Sequence, residues 1–343
     1  MRPALLLLSC CAVLFVGCQG VGSHSVKMRV VDETGTSVPG ADVEVLFVNS
    51  GGSDVRKGRT GGDGQYTARG SANDSVMLRA EKAGYYPAQV DNFSRDADHD
   101  VEVVMPRIVN PIPLYVWSGL SGNSVIFPIH NQWVGFDFEA ADWVAPHGKG
   151  RTADFLMRFR NEFKGLRPSD MTLEERIQAH KRLLAFSKEE WTEDKFRIRA
   201  GKWDGYMEIS FPNSGDGMME EKHSVQYHAV SPMRVPHLAP EEGYESSPKR
   251  YEVRHGRPAR EKETMFFFRT RVKRDLQGRI VSANYARIVG DFEINANRGA
   301  VVFTYYFNPS PNDRNLEYHP MKNLFPEDKP GSRFYFPFIP GRK

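Results

Sequence analysis

Beyond position 18 the 343-residue chain has no cysteine, because its three, Cys10, Cys11 and Cys18, all stand at the start. No disulfide can then staple the body of the protein, and no cysteine-rich metal site can form there. Charge of one sign is also lacking. With 46 Lys and Arg against 43 Asp and Glu the net charge is +3, too small a field to point to nucleic acid as a partner. Past Val16 no long apolar run remains, so nothing there reads as a spanning helix. The common catalytic strings are missing too. There is no Gly-x-Ser-x-Gly elbow and no His-Glu-x-x-His, and Gly148-Lys-Gly150 leads into a strand-like run instead of a phosphate-cradling helix. Of the ten histidines only His223 and His228 fall close together, at a spacing that neither a helix nor a strand puts on one face. No metal and no cofactor is expected.

What is present begins with an export signal. Arg2 precedes an apolar run from Ala4 to Val16, too short to span a bilayer comfortably, and small residues follow it. The ending Phe15-Val-Gly-Cys18 resembles the lipobox of bacterial lipoproteins, with Phe15 where that family usually has Leu. The resemblance implies acylation of Cys18, a mature chain that starts there, and a membrane anchor of several acyl chains, where one chain alone binds marginally. An ordinary secretory signal cleaved nearby is the plainer alternative. Gln19 in place of Asp points, by the enterobacterial rule, to the outer membrane of the cell envelope.

From Val26 to Met105 the chain is a series of short alternating runs closed by turns. Val26-Lys-Met-Arg-Val30 and Val43-Glu-Val-Leu-Phe47 place apolar residues two apart, as a half-buried strand requires. Asp32 to Gly35, Pro39-Gly40 and Gly61-Gly-Asp-Gly64 are turn chemistry. Such spacing without helical period predicts an antiparallel sandwich. The order Asp32-x-x-Gly-x-x-Val-Pro-Gly-Ala-x-Val-x-Val45, Thr60, Gly64-x-Tyr66 and Lys82-x-Gly-Tyr85 resembles the carboxypeptidase regulatory-like domain, a prealbumin-like β-sandwich. The resemblance covers residues 26–106, implies a fold, and carries no catalytic residue. Asp91, Asp96, Asp98 and Asp100 are a conceivable calcium cluster, but a solvated acidic loop is the simpler account, since EF-hand spacing is missing. Tyr85, Tyr86 and Pro87 read as a cap on the sandwich core, with a ligand platform as the alternative.

Arg107-Ile-Val-Asn-Pro-Ile-Pro-Leu-Tyr115 reads as an extended connector, because its two prolines deny helix. Residues 107–343 are then a larger β-rich domain. Thr172 with Glu175 forms a capping box, and Leu173, Ile177 and Leu184 share a face, which predicts one helix from Leu173 to Ser187. Met265 to Arg274 and Arg279 to Arg287 form a hairpin about Asp275-Leu-Gln-Gly278, with Phe266, Phe268, Thr270 and Val272 on one face and Phe267, Arg269, Arg271 and Lys273 on the other. The end of the chain from Leu316 reads as an irregular tail. The strings Gly135-Phe-Asp, Asp142-Trp-Val-Ala-Pro, Gly148-Lys-Gly, Pro212-Asn-x-Gly-Asp-Gly217, Gly290-Asp and Thr304 to Asn315 resemble a group of uncharacterised bacterial lipoproteins that pair this domain with a regulatory-like module, which supplies no function.

Two functional readings follow. In the preferred one the chain is a non-catalytic envelope lipoprotein that binds or scaffolds, with a glycan or an envelope protein as partner. Its ligand-binding candidates are Trp133, Asp137, Asp142 and Trp143, since an aromatic ring beside acids can hold a sugar face. Tryptophans more often pack cores. In the second reading a carboxylate pair, drawn from Asp137, Asp142, Asp154, Asp204, Asp216, Asp291 and Asp313, hydrolyses glycan, for which the pair must stand about 5 to 9.5 Å apart across a cleft. Turn and capping roles explain several of these acids equally well. The basic segment Lys249 to Arg274 reads either as a contact for anionic lipid or polymer or as a solvated strand face.

Overall fold

The structure is a computed structural model that describes residues 23–49, 51–72, 75–90, 99–119, 123–166, 201–222, 229–231, 233, 236–254, 257–258 and 264–332. The lipobox with Cys18, the acids Asp91, Asp96 and Asp98, the predicted helix from Leu173 to Ser187, Trp191, and His223 and His228 lie outside the described residues. Within them every regular element is a strand.

The first sandwich joins two sheets. One is three-stranded, with β1 (Ser23–Val31) between β4 (Gln65–Ser71) and β7 (His99–Val104). The other takes β2 (Asp42–Asn49), β3 (Gly52–Arg59), β5 (Ser75–Glu81) and β6 (Ala88–Val90). The period of two does what it predicts. Val26, Met28 and Val30 meet Val43, Val45, Phe47 and Leu78 in one core, where each side chain contributes about 1.5–3 kcal/mol by leaving water. Most pairings are antiparallel, but β1 and β7 run parallel, Val26 opposite His99. The Asp32 carboxylate closes the first turn by accepting the N–H groups of Thr34 at 2.9 Å and Thr36 at 3.0 Å. Gly64 is fixed by two constraints at once. Its φ is +75°, and a Cβ there would stand 2.7 Å from the Val30 carbonyl oxygen.

The second sandwich places a six-stranded sheet on a seven-stranded one. The six run β11 (Asp142–Trp143), β10 (Val134–Asp137), β12 (Phe155–Leu166), β13 (Gly201–Ser210), β16 (Lys249–Arg254) and β17 (Arg257–Pro258). In the other sheet β14 (Gly217–Lys222), β18 (Thr264–Arg274), β19 (Ile280–Asn295), β20 (Ala300–Asn308), β8 (Ile112–Ser118) and β21 (Tyr318–Asn323) lie side by side, and β9 (Val125–Ile126) pairs with β20. Their shared core is aromatic: Phe136 packs on Phe155 and Phe303, and Phe138 on Phe268 and Tyr305. The expected irregular tail is corrected in part, because residues 318–323 form β21, parallel to β8 with an interrupted register.

The two sandwiches are not strung apart. Strand β15 (Ala229–Val230) leaves the second half of the chain to pair with β6, Ala229 opposite Val90, and completes a five-stranded sheet of the first sandwich. Tyr86 reaches the other way. It is 1% exposed and belongs to the junction: its hydroxyl donates to the Glu317 carboxylate and to the Tyr318 carbonyl, both at 3.0 Å.

Candidate functional site

A buried polar cluster of the second sandwich forms where β18 breaks its alternation. The β18–β19 register shifts between Thr270 and Lys273, and Arg271, with φ +55°, leaves the ladder. The predicted face for Arg271 is corrected for this reason. A bulge re-aims the side chain, and the guanidinium turns to three carboxylates. Its Nε donates to Asp154 Oδ1 at 2.8 Å and its Nη2 to Asp154 Oδ2 at 3.0 Å, a two-pronged pair. Nη2 also lies 3.3 Å from Asp137 Oδ1, and Nη1 pairs with Glu139. The Phe307 ring sits 4.8 Å from the guanidinium carbon.

This geometry decides what the two acids can do. Asp154 is fully buried, and its oxygens also accept the Phe138 N–H at 2.8 Å and the Thr270 hydroxyl at 2.9 Å. Burial pushes Asp154 up to about 6, against the pull of Arg271, the Phe138 N–H and Thr270. Asp137 accepts four backbone N–H groups: those of Glu139 and Ala140 on one oxygen, and those of Arg151 and Thr152 on the other. The carboxylates are neighbours, but both are sealed from solvent and committed to the fold. General acid chemistry requires a proton delivered to a bound substrate, and this pair offers no open face for one. Asp137 is therefore a loop organiser.

The remaining acids divide in the same way. Asp142 accepts the N–H of Trp143 at 2.8 Å and of Lys149 at 3.0 Å, so it shapes the loop that follows β11. Asp216 is buried, which pushes its pKa up, and accepts the Val272 N–H at 2.9 Å. Asp313 accepts the Asn315 N–H at 2.9 Å. Asp204 lies opposite Glu162 on the outer face. The side chain of Asp291 is not among those described. Among the described residues no group of three or more His, Cys, Asp or Glu is placed to hold a metal ion.

The two tryptophans of the predicted site part company. Trp143 is a core residue, donating Nε1–H to the Ile126 carbonyl at 2.8 Å and packing against Phe127 and Phe136. Trp133 is 38% exposed, and the Arg158 guanidinium covers one side of its ring at 4.7 Å. Its neighbours are set by the ladder. Arg158, Glu208 and Arg250 stand opposite one another on β12, β13 and β16, and Arg160, Tyr206 and Glu252 form the next row. Arg158 pairs with Glu208 at 2.5 Å, and Arg250 lies 3.8 Å from the Tyr206 ring centre. Arg160 is exposed. Among the described residues the result is an outer sheet face of arginines, carboxylates and two aromatic rings, with Trp133, Arg160 and Arg250 exposed on it. The polar half of the alternation, Arg158-x-Arg160 and Tyr206-x-Glu208, is the signal that could have found it.

With the geometry in hand, known proteins add one identification. The family model for the carboxypeptidase regulatory-like domain matches residues 25–106. That stretch is a carboxypeptidase regulatory-like domain. In this chain the domain also takes β15 as an additional strand and is clasped through Tyr86. No curated protein matches the chain. Among solved structures, a catechol 1,2 dioxygenase from Acinetobacter radioresistens is 14% identical, covers 26% of this chain and has a TM-score of 0.22; the chain spans only about half of it, 53%. A streptococcal ancillary pilin is 15% identical over 33% of this chain and 39% of its own, with a TM-score of 0.19. A DUF3823 family protein from Parabacteroides merdae is 7% identical over 83% of this chain and 96% of its own, with a TM-score of 0.21. Likenesses at these scores carry no argument about activity.

Proposed function

We propose that this chain is an envelope lipoprotein, anchored through an acylated Cys18 in the outer membrane, that recognises glycan without cleaving it. The observation that carries the reading is Trp133, half out of the outer face of the six-stranded sheet with Arg158 fixed against one side of its ring. The uncovered side suits the apolar face of a sugar ring, and Arg160, Glu208 and Arg250 around it can exchange hydrogen bonds with hydroxyls. A sheet presents these groups already ordered, which lowers the entropy cost of binding. The sealed state of Asp137 and Asp154 favours recognition over the hydrolase reading.

Trp133→Ala is expected to weaken binding of any glycan found for the protein by about tenfold or more, the loss of one aromatic contact of about 1.4 kcal/mol. Calorimetric titration of the wild type and variant checks it. Equal affinity of the two would place recognition elsewhere.

A further inference from the structure

The hairpin between β18 and β19 ends in a tip that the glycan reading leaves unused. Leu276 is fully exposed, and Ile280 and Val281 beside it are 38% and 52% exposed. A lone surface leucine is ordinary, but this one stands on a cross-braced turn. Asp275 Oδ1 accepts the N–H groups of Gln277 at 3.0 Å and Arg279 at 2.9 Å, and the Gly278 N–H donates to the Asp275 carbonyl at 3.0 Å. Arg274 ties the turn from outside, donating to the Gly278 carbonyl at 2.5 Å and to the Ser214 carbonyl at 3.3 Å. These bonds fix the backbone of the turn on which Leu276 stands exposed.

The charge around this apolar prow is one-sided. Arg279 is answered by Asp275 at 2.7 Å, whereas among the described residues Arg274 bonds to neutral carbonyl oxygens and Lys273 is exposed beside it. An exposed apolar point with a basic collar is complementary to the boundary between lipid headgroups and acyl chains, where the apolar part leaves water and the cations meet phosphate. We propose that this hairpin tip docks on an anionic bilayer surface, Leu276 entering the interface while Lys273 and Arg274 meet lipid phosphates. This contact is separate from any acyl anchor at Cys18 and from the face around Trp133.

The test is flotation of the unacylated chain from Gln19 onward with two kinds of vesicle, phosphatidylcholine alone and phosphatidylcholine with a third phosphatidylglycerol. The expected result is binding to the anionic vesicles that weakens as salt is raised, and a loss of about tenfold or more for Leu276→Asp and for Lys273→Glu. Both positions are on the surface, and unchanged melting of the variants shows that the fold is kept. Trp133→Ala should float like the wild type, which separates this contact from glycan recognition. No flotation with the anionic vesicles, equal flotation with both kinds, or flotation indifferent to Leu276→Asp overturns the proposal, and the tip would then be assigned to a protein contact.

Discussion

Replacing Arg271 by alanine is expected to destabilise the protein by about 3–5 kcal/mol, because it strands a buried charge. Asp154 is fully buried and takes two hydrogen bonds from that guanidinium. Without it the carboxylate keeps only the Phe138 N–H and the Thr270 hydroxyl. Glu139 and Asp137, each paired with Arg271, would also lose a cation between them. Lysine should not rescue the variant, since one ammonium cannot reproduce a planar fork aimed at three carboxylates. Backbone strain can be separated from charge: Arg271 sits at φ +55°, so Arg271→Gly should lose less than Arg271→Ala by up to about 1 kcal/mol. Urea unfolding midpoints measure both. A loss below about 1 kcal/mol for Arg271→Ala would mean that water readily replaces the arginine and that the cluster is not the structural knot described.

The second large effect belongs to the junction of the two sandwiches. Glu317→Ala is expected to cost about 3 kcal/mol, because three donors lose this acceptor, the Tyr86 hydroxyl alone keeping a second one in the Tyr318 carbonyl. Those donors are the Tyr86 hydroxyl at 3.0 Å and the N–H groups of Val109 at 2.8 Å and Asn110 at 2.6 Å. Tyr86→Phe should cost less, about 1 kcal/mol, since the backbone partners of Glu317 remain. Burial and the neighbouring Glu317 push the Tyr86 hydroxyl well above its ordinary pKa, so it stays a donor across the working pH range. Besides the unfolding midpoint, limited proteolysis reads the clasp: cleavage in the segment after Arg107 should accelerate in Glu317→Ala. Unchanged stability and cleavage would show that β15 and the packing around it hold the sandwiches without the clasp.

Much of the fold was legible because its rule is local. Val26, Met28, Val30 and Val43, Val45, Phe47 alternate in the sequence and are buried in that order. Phe266 and Phe268 likewise face the aromatic core. Their neighbour Phe267 is fully buried as well, on the side expected to face solvent, because Ala239 and Leu316, from distant parts of the chain, cover the outer face. No periodicity within β18 reports a cover that arrives from elsewhere. The bulge at Arg271 is illegible for a related reason. The arginine is aimed at acids contributed by β10 and the segment between it and β12, and no glycine marks the place. The contact of Tyr86 with Glu317 spans 231 positions, which is why Tyr86 read as a cap on its own sandwich.

The candidate site was legible only in part. Trp133 belongs to an exposed face, whereas Trp143 is core and Asp137 and Asp142 organise loops. A tryptophan next to an acid looks the same in sequence whether it is a platform or a packing residue. Pairing is what separates them. Once β12, β13 and β16 are in register, Arg158, Glu208 and Arg250 fall into one row, and the outer face becomes visible.

Glycan recognition without turnover is tested most directly by an array of glycans and polysaccharides probed with the chain from Gln19 onward, every bound ligand then being incubated with the protein and its products separated. The account predicts binding to at least one glycan, weakened in Trp133→Ala, with the ligand recovered intact. Cleaved ligand would contradict it and return attention to the acids of the second sandwich, and silence across the array would contradict glycan recognition itself.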